Sequence, residues 1–331
     1  MNPSVVRHAS RRPRGAAGSA RRRIVALAAV TLLLAAACAP ASTSHDPADR
    51  RIHVLATTTV LADLVRSTGG DRVVVDSLVP AGAEPHTFAP RPSDMRKVAD
   101  ADVIVMNGLG LDDWLRPLAA EAKRSAAALV ELGVGLDGVT YLTGSEGSGD
   151  APVTATSTGP VNPHLWLNVA YAEKYVDRIA DALVAARPSD ADAIRASAVA
   201  YRAKLEDLDA SIRSRIAALP ADHRRVVSFH DAFPYYAAAY GLDIVGVVVP
   251  VPGQEPSASE VAALVDAIRA AGATAIFAEA QFTPKVADQI AAETGATVVA
   301  TLYNDSLGAP PADSYVGIMQ WDTDQVVQAL R

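Results

Sequence analysis

Cysteine occurs once in 331 residues, at position 38, so no intramolecular disulfide can hold this chain together. Aromatic residues make up only 5%, while Ala and Val dominate. That composition argues against a β-sandwich and suits helices packed on parallel strands. Basic side chains are scarce where they would matter. Seven Arg and no acidic residue fall within positions 1–37, which leaves 23 basic against 37 acidic side chains beyond them, a balance of −14. Such a body has no electrostatic basis for binding nucleic acid, and its acidic surface concentrates cations only weakly at physiological salt. Apolar runs are short. The longest, Ile24 to Ala37, falls below the roughly 20 residues needed to span a bilayer. No repeat at solenoid spacing is present. Half of the chain is nonetheless apolar, enough for a substantial core in one large domain or two of ordinary size.

The amino terminus has the layout of an export signal, an Arg-rich head followed by "IVALAAVTLLLAAAC". Small residues ahead of Cys38 resemble a bacterial lipobox, in which the cysteine is lipidated and becomes the mature terminus. Ala35 stands where Leu is commoner and Leu34 lies one place early, so ordinary cleavage is the alternative. "RRRIV" is compatible with a twin-arginine route as well as the general one. Residues 1–38 are therefore the signal, and 39–50, "APASTSHDPADR", a polar tether to the outer face of the membrane or the periplasm.

From Arg51 onward, short β-branched runs alternate with helical patterns. "IHVLATT", "VVVDSLV", "VIVMNG" and "ALVELG" precede a second set of four, "VVSFH", "DIVGVVV", "AIFAEA" and "TVVATLY". Two sets of four, each strand followed by a helix or loop, predict parallel sheets built from βα units. Between them Ile194, Ala198, Tyr201, Leu205, Leu208, Ile212, Ile216 and Leu219 form one stripe at steps of three or four. A helix over 190–218 would span about 43 Å, a strut between two halves, although an ordinary surface helix fits the pattern equally well. "PSD" at 188–190 supplies a start-and-cap signal and Pro220 an end. The body thus divides into 51–188, a linking helix 189–219, and 220–331. Residues 136–160, rich in Gly, Ser and Thr, read as a mobile loop.

Of seven histidines, three sit where a doubly wound sheet binds ligands, beyond the carboxyl ends of strands. His230 ends "VVSFH"; His86, in "EPHTFAP", follows the second strand; His164, in "VNPHLWLN", precedes a helix starting near Asn168. Proline before His86 and His164 limits the backbone, so less entropy is lost on ligation. Asp305, in "TLYNDSLG" after the last strand, adds a carboxylate, and three imidazoles with one carboxylate suit tetrahedral zinc. His223, in the charged turn "ADHRR", reads as solvated, and His53 as a strand residue.

At these residues the sequence resembles the cluster A-I metal-binding proteins of bacterial zinc and manganese ABC importers. "PAGAEPHTFAPRPSD", "NPHLWLN", "SFHDAFPYYAAAYGL" and "NDSLGAPPADSY" are similar to the four ligand motifs of that family, and "MNGLGLDDWL", "QEPSASEV" and "IFAEAQFTPKVA" to further signatures. The resemblance runs from about Ile52 to the carboxyl terminus. It implies two α/β lobes, each a four-stranded parallel sheet flanked by helices, joined by one long rigid helix. It also implies one metal in the cleft, held by His86 and His164 from the first lobe and His230 and Asp305 from the second. Cargo would be Zn2+, or alternatively Mn2+, handed by a monomeric protein to a membrane permease. The 136–160 loop lacks the histidines of many zinc members, whereas His230 stands where many manganese members have Glu. Ligand softness favours zinc. Neutral imidazoles are required, so affinity should fall steeply below about pH 6.

Two other function classes compete with this reading. Three histidines with an open fourth position would be a hydrolytic zinc site, but Asp305 fills that position. Ser228, two residues from His230 on one strand and outside any nucleophile elbow, does not make a triad. The chain is therefore read as no enzyme. An adhesin role has no encoded host-ligand site. Glu84, Asp231 and Asn162 adjoin the four residues, and spacing leaves open which of them orients a ring.

Overall fold

The computed structural model describes residues 51–144, 160–249, 253, 255–279 and 285–331. The signal segment, Cys38, the tether and positions 145–159 of the Gly-rich segment lie outside the described residues. Residues Arg51–Arg331 form one compact unit.

All eight expected strands form. β1 (Ile52–Ala56), β2 (Val73–Ser77), β3 (Val103–Met106) and β4 (Ala128–Glu131) make one sheet in the order β2-β1-β3-β4. β5 (Arg225–His230), β6 (Asp243–Val249), β7 (Ala275–Glu279) and β8 (Thr297–Leu302) make a second, ordered β6-β5-β7-β8. Every pairing is parallel. Parallel sheets need both faces covered, which is why β3 and β7 are buried along their whole length. The cover comes from α1 (Thr59–Gly69), α2 (Asp94–Asp100), α3 (Leu115–Ala122), α4 (Val169–Ala186), α5 (Ala191–Ala217), α6 (Pro234–Tyr240), α7 (Ala258–Ala271), α8 (Lys285–Thr294) and α9 (Tyr315–Ala329). In each sheet the chain leaves its first strand to one side, then crosses to the other. The resulting switch points, β1/β3 and β5/β7, open a crevice at the carboxyl edge.

The strut is α5, 27 residues and about 40 Å long. Its stripe is buried as expected, from Ile194 to Ile216, against α1 and α4 on one side and α6 and α9 on the other. The helix starts where the sequence signal places it, but without the side-chain cap. Asp190 makes no side-chain cap, because its backbone (φ −102°, ψ 8°) is not the extended form that swings a carboxylate onto the first free amides. It lies instead 3.9 Å from Arg72, after a 3-10 turn over Pro188–Asp190.

One apolar cluster runs from Ile52 through the strut to Leu330, so the two lobes share a core; smaller clusters sit around Phe229 and Ile276 and around Leu55 and Ile104. α9 closes the second sheet and reaches back to α1 and α5. Ile212, 1% exposed on the strut, is thus part of both halves' stability. Ile212→Ala should cost about 2–5 kcal/mol in urea unfolding. Val199→Ala, at a position 69% exposed on the same helix, should stay within about 0.5 kcal/mol.

Candidate metal centre

Three of the four predicted residues follow or end a strand, and His164 opens a helical turn. After β2, Leu78 and Val79 continue the ladder by donating to Ala56 and Thr57 carbonyls (2.9 and 2.8 Å), and the turn at Pro80–Ala83 brings the chain back to His86. The His86 amide donates to Glu84 Oε1 at 2.9 Å. His164 opens a 3-10 turn over Leu165–Leu167, and Asn168 caps α4 by accepting from the Ala170 amide. His230 is the last residue of β5. Asp305 follows β8 by three residues, with its amide donating to Asn304 Oδ1 at 2.6 Å.

The four meet at one point. His86 Nε2 and His230 Nε2 each lie 3.3 Å from His164 Nε2, which lies 3.3 Å from Asp305 Oδ1. Asp305 Oδ2 is 3.9 Å from His86 Nε2 and 3.8 Å from His230 Nε2. One donor atom from each residue lies within 4.8 Å of all the others. His164, His230 and Asp305 are closed off from solvent, whereas the His86 side chain keeps 10% of its surface and so marks the mouth.

Neighbours turn the rings. Asn162 Oδ1 accepts from the His164 amide (3.1 Å) and lies 3.0 Å from His164 Nδ1, while its Nδ2 donates to the Asp231 carbonyl across the cleft at 2.6 Å. An amide oxygen only accepts, so Nδ1 carries the His164 proton and the Nε2 lone pair faces the cluster. His230 Nδ1 is 3.1 Å from Glu279 Oε1, which assigns its Nδ1 proton in the same way. Of the three residues left open above, Asn162 holds an imidazole, Glu84 holds the His86 backbone, and Asp231 contributes its carbonyl. The lobes are further joined here by Trp166 Nε1–H to the Asn304 carbonyl (2.9 Å) and Tyr315 Oη–H to the Trp166 carbonyl (2.6 Å).

Electrostatics are dominated by burial. It pushes His86 down to about 3, so that ring is neutral throughout the physiological range. Burial also disfavours the His230 cation, but the Glu279 charge and hydrogen bond outweigh it and raise the group to about 9. Burial, then the charge of Asp305, lifts Glu84 to about 7. For Asp305 burial opposes ionisation, yet His164, His230 and His86 together hold it below the usual carboxylate range. Both Asp305 oxygens, Glu279 Oε2 and Glu84 Oε2 are buried with no hydrogen-bond partner among the described residues. Acceptors left bare in a closed site favour a cation. Chemically, the cluster offers three nitrogens and one carboxylate to an ion and holds a proton on His230 until one arrives.

The two other described histidines lie elsewhere. His53 sits on β1. His223 is not simply solvated as its charged neighbours imply: its Nδ1 lies 3.0 Å from the Leu330 carbonyl, because the chain end folds over that turn. Ser228 donates to the His230 carbonyl, which takes its hydroxyl hydrogen away from the ring. Glu279 was missed in the sequence. Its signal was an acidic residue closing an otherwise apolar strand, "AIFAE", buried throughout. Because its charge holds the His230 proton, Glu279→Gln should move the His230 titration, followed by NMR in metal-free protein, down from about 9 towards the ordinary value near 6.5. An unmoved titration would remove Glu279 from that role.

Known proteins share this fold. The family model for ZnuA, zinc-uptake complex component A, periplasmic, matches residues 54–329. A manganese-binding lipoprotein, MntA, of Halalkalibacterium halodurans is 29% identical over 298 residues, 89% of this chain and 94% of the relative. The iron-binding protein YfeA of Yersinia pestis is 31% identical over 294 residues, 88% and 90% of the two chains. The Mn-bound periplasmic metal binding protein from Candidatus Liberibacter asiaticus superposes with a TM-score of 0.75 at 25% identity, over 85% of this chain and 100% of that one. With nearly the whole folded body matched, the chain belongs to the ZnuA family, the metal-binding proteins of ABC importers.

Proposed function

We propose that this chain captures a divalent transition metal outside the cytoplasm, zinc in preference to manganese, and delivers it to the membrane permease of an ABC importer. His86, His164, His230 and Asp305 act as the ligands. One observation carries the reading: four donors from both lobes lie within 4.8 Å of one another, three of them 3.3 Å from His164 Nε2, around a carboxylate with no other partner among the described residues. With Zn–N at about 2.0–2.1 Å, neighbouring corners of a tetrahedron fall about 3.3–3.4 Å apart. Six-coordinate manganese prefers more oxygen than this set supplies. The names of MntA and the Mn-bound structural neighbour keep manganese as the second reading. Four protein ligands leave no corner for a reactive water, which favours carriage over catalysis.

The cargo enters past His86, and the lobes, taken as 51–188 and 220–331 on either side of the strut, settle around it. Their shared core favours small adjustments over a wide hinge. The chain works as an exported monomer, held at the membrane through lipidated Cys38. No helix among the described residues is long and apolar enough to cross a membrane.

Zinc and a proton compete for His230 Nε2. A raised imidazole keeps its proton below its own pKa, so affinity should weaken roughly tenfold per pH unit below about 9 and level off above it. His86, neutral down to about 3, adds nothing in that window. The onset therefore comes earlier than the pH 6 expected for ordinary imidazoles. Calorimetry in buffers of different ionisation enthalpy should find about one proton released per zinc at pH 7; a flat affinity from pH 9 to 6 would contradict imidazole ligation. His230→Ala should retain the fold and lose at least about tenfold in zinc affinity. An unchanged affinity would remove His230 from the ligand set, and preference for manganese in direct competition would replace the cargo.

A further inference from the structure

The segment between β3 and α3, "NGLGLDDW", takes no part in the cluster, yet its backbone is held in an unusual shape. Gly108, Leu109 and Gly110 all have positive φ, at 76°, 58° and 91°. Glycine adopts that region freely, but leucine does not, because its Cβ crowds the backbone. The buried Asp112 carboxylate keeps the loop in place by accepting from the Asn107 amide (2.7 Å), the Gly108 amide (2.8 Å) and the Thr57 hydroxyl (2.6 Å). A loop stabilised this way is a rigid body standing beside the mouth of the cluster.

Two side chains extend from it, one from each end, and each performs the same task. Asn107 Nδ2 donates to the carbonyl of Pro163 at 3.0 Å, with the amide fixed by Tyr175 Oη–H donating to Asn107 Oδ1 at 2.6 Å. Trp114 Nε1 donates to the carbonyl of Pro85, also at 3.0 Å, and its ring packs on Phe88 with centroids 5.0 Å apart. Pro163 and Pro85 are the residues directly before His164 and His86. Proline has no amide hydrogen, so the carbonyl is the only backbone hydrogen-bonding group through which those residues can be held. Two histidines 78 positions apart in sequence are thereby referenced to a single eight-residue loop.

We infer that the Asn107–Trp114 loop is the positioning and selectivity element of the centre, fixing the 3.3 Å separation of His86 Nε2 and His164 Nε2 and so favouring a small tetrahedral cation over a larger one of higher coordination. The inference rests on the reading of the cluster as a metal site. Trp114 and Asn107 are positioning residues: they touch no cargo and act through the histidines.

Trp114→Phe removes the N–H donor and keeps an aromatic ring against Phe88. In this variant zinc affinity should fall about tenfold, the preference for zinc over manganese should fall by a similar factor, and the visible absorption of the Co2+-loaded protein should change in band position or intensity. In a His86→Ala background the same substitution should change zinc affinity by less than about twofold, since its only route is through that ring. Asn107→Ser is the independent arm: it should weaken zinc binding in the parent and leave it unaltered in His164→Ala. Thermal unfolding of the metal-free proteins identifies any variant that has lost its fold, and the other arm then decides. Affinity and preference within about twofold of the parent in a folded variant would overturn the inference, as would an equal loss with and without the partner histidine. Full zinc affinity in His86→Ala and His164→Ala alone would overturn the metal reading, and this inference with it.

Discussion

Three imidazole nitrogens and a carboxylate crowded at one point in a closed pocket are stable there only under constraint, since each has given up water to be there. Such a cluster is stable only if a positive charge sits among the donors and the framework keeps them from turning away. The rest of the molecule answers those two requirements. Parallel strands end their chains at the same edge, and a switch point in each sheet opens a crevice there. Two such edges face each other because the strut and α9 pack both sheets into one core. Hydrogen bonds across the cleft, from Asn162, Trp166 and Tyr315, then set the depth at which the edges meet.

The charge requirement is met from within before any metal arrives. Glu279 raises His230, while His164 and then His230 and His86 hold Asp305 below the usual carboxylate range against its burial. Glu84 is lifted towards neutrality, which limits the excess of negative charge in the pocket. On the proposed reading a divalent ion exchanges with a proton here, among four donors that the fold already gathers. Little reorganisation on capture means that the free energy of ligation goes into affinity, and release then requires something outside the protein to disturb the geometry.

Much of this was legible in the sequence because it depends on local pattern. β-branched runs gave eight strands, and the three–four spacing from Ile194 to Ile216 gave the strut. Pro-His pairs and strand-end positions picked out the four residues that the fold gathers. What was not legible depends on adjacency between strands far apart in sequence. Glu279 reaches His230 only because β7 pairs directly with β5, and Trp114 reaches Pro85 only because α3 begins beside the loop after β2. Asp190 shows the opposite failure, a correct local signal overridden when the preceding turn took a different backbone. His223 was misjudged because its partner, Leu330, lies at the far end of the chain.

X-ray absorption at the zinc K edge of the loaded full-length chain tests the central claim most directly. Four scatterers at about 2.0–2.1 Å, with the multiple-scattering pattern of three imidazoles, is the predicted result. A six-coordinate oxygen shell, or a shell with fewer than two imidazoles, would contradict it.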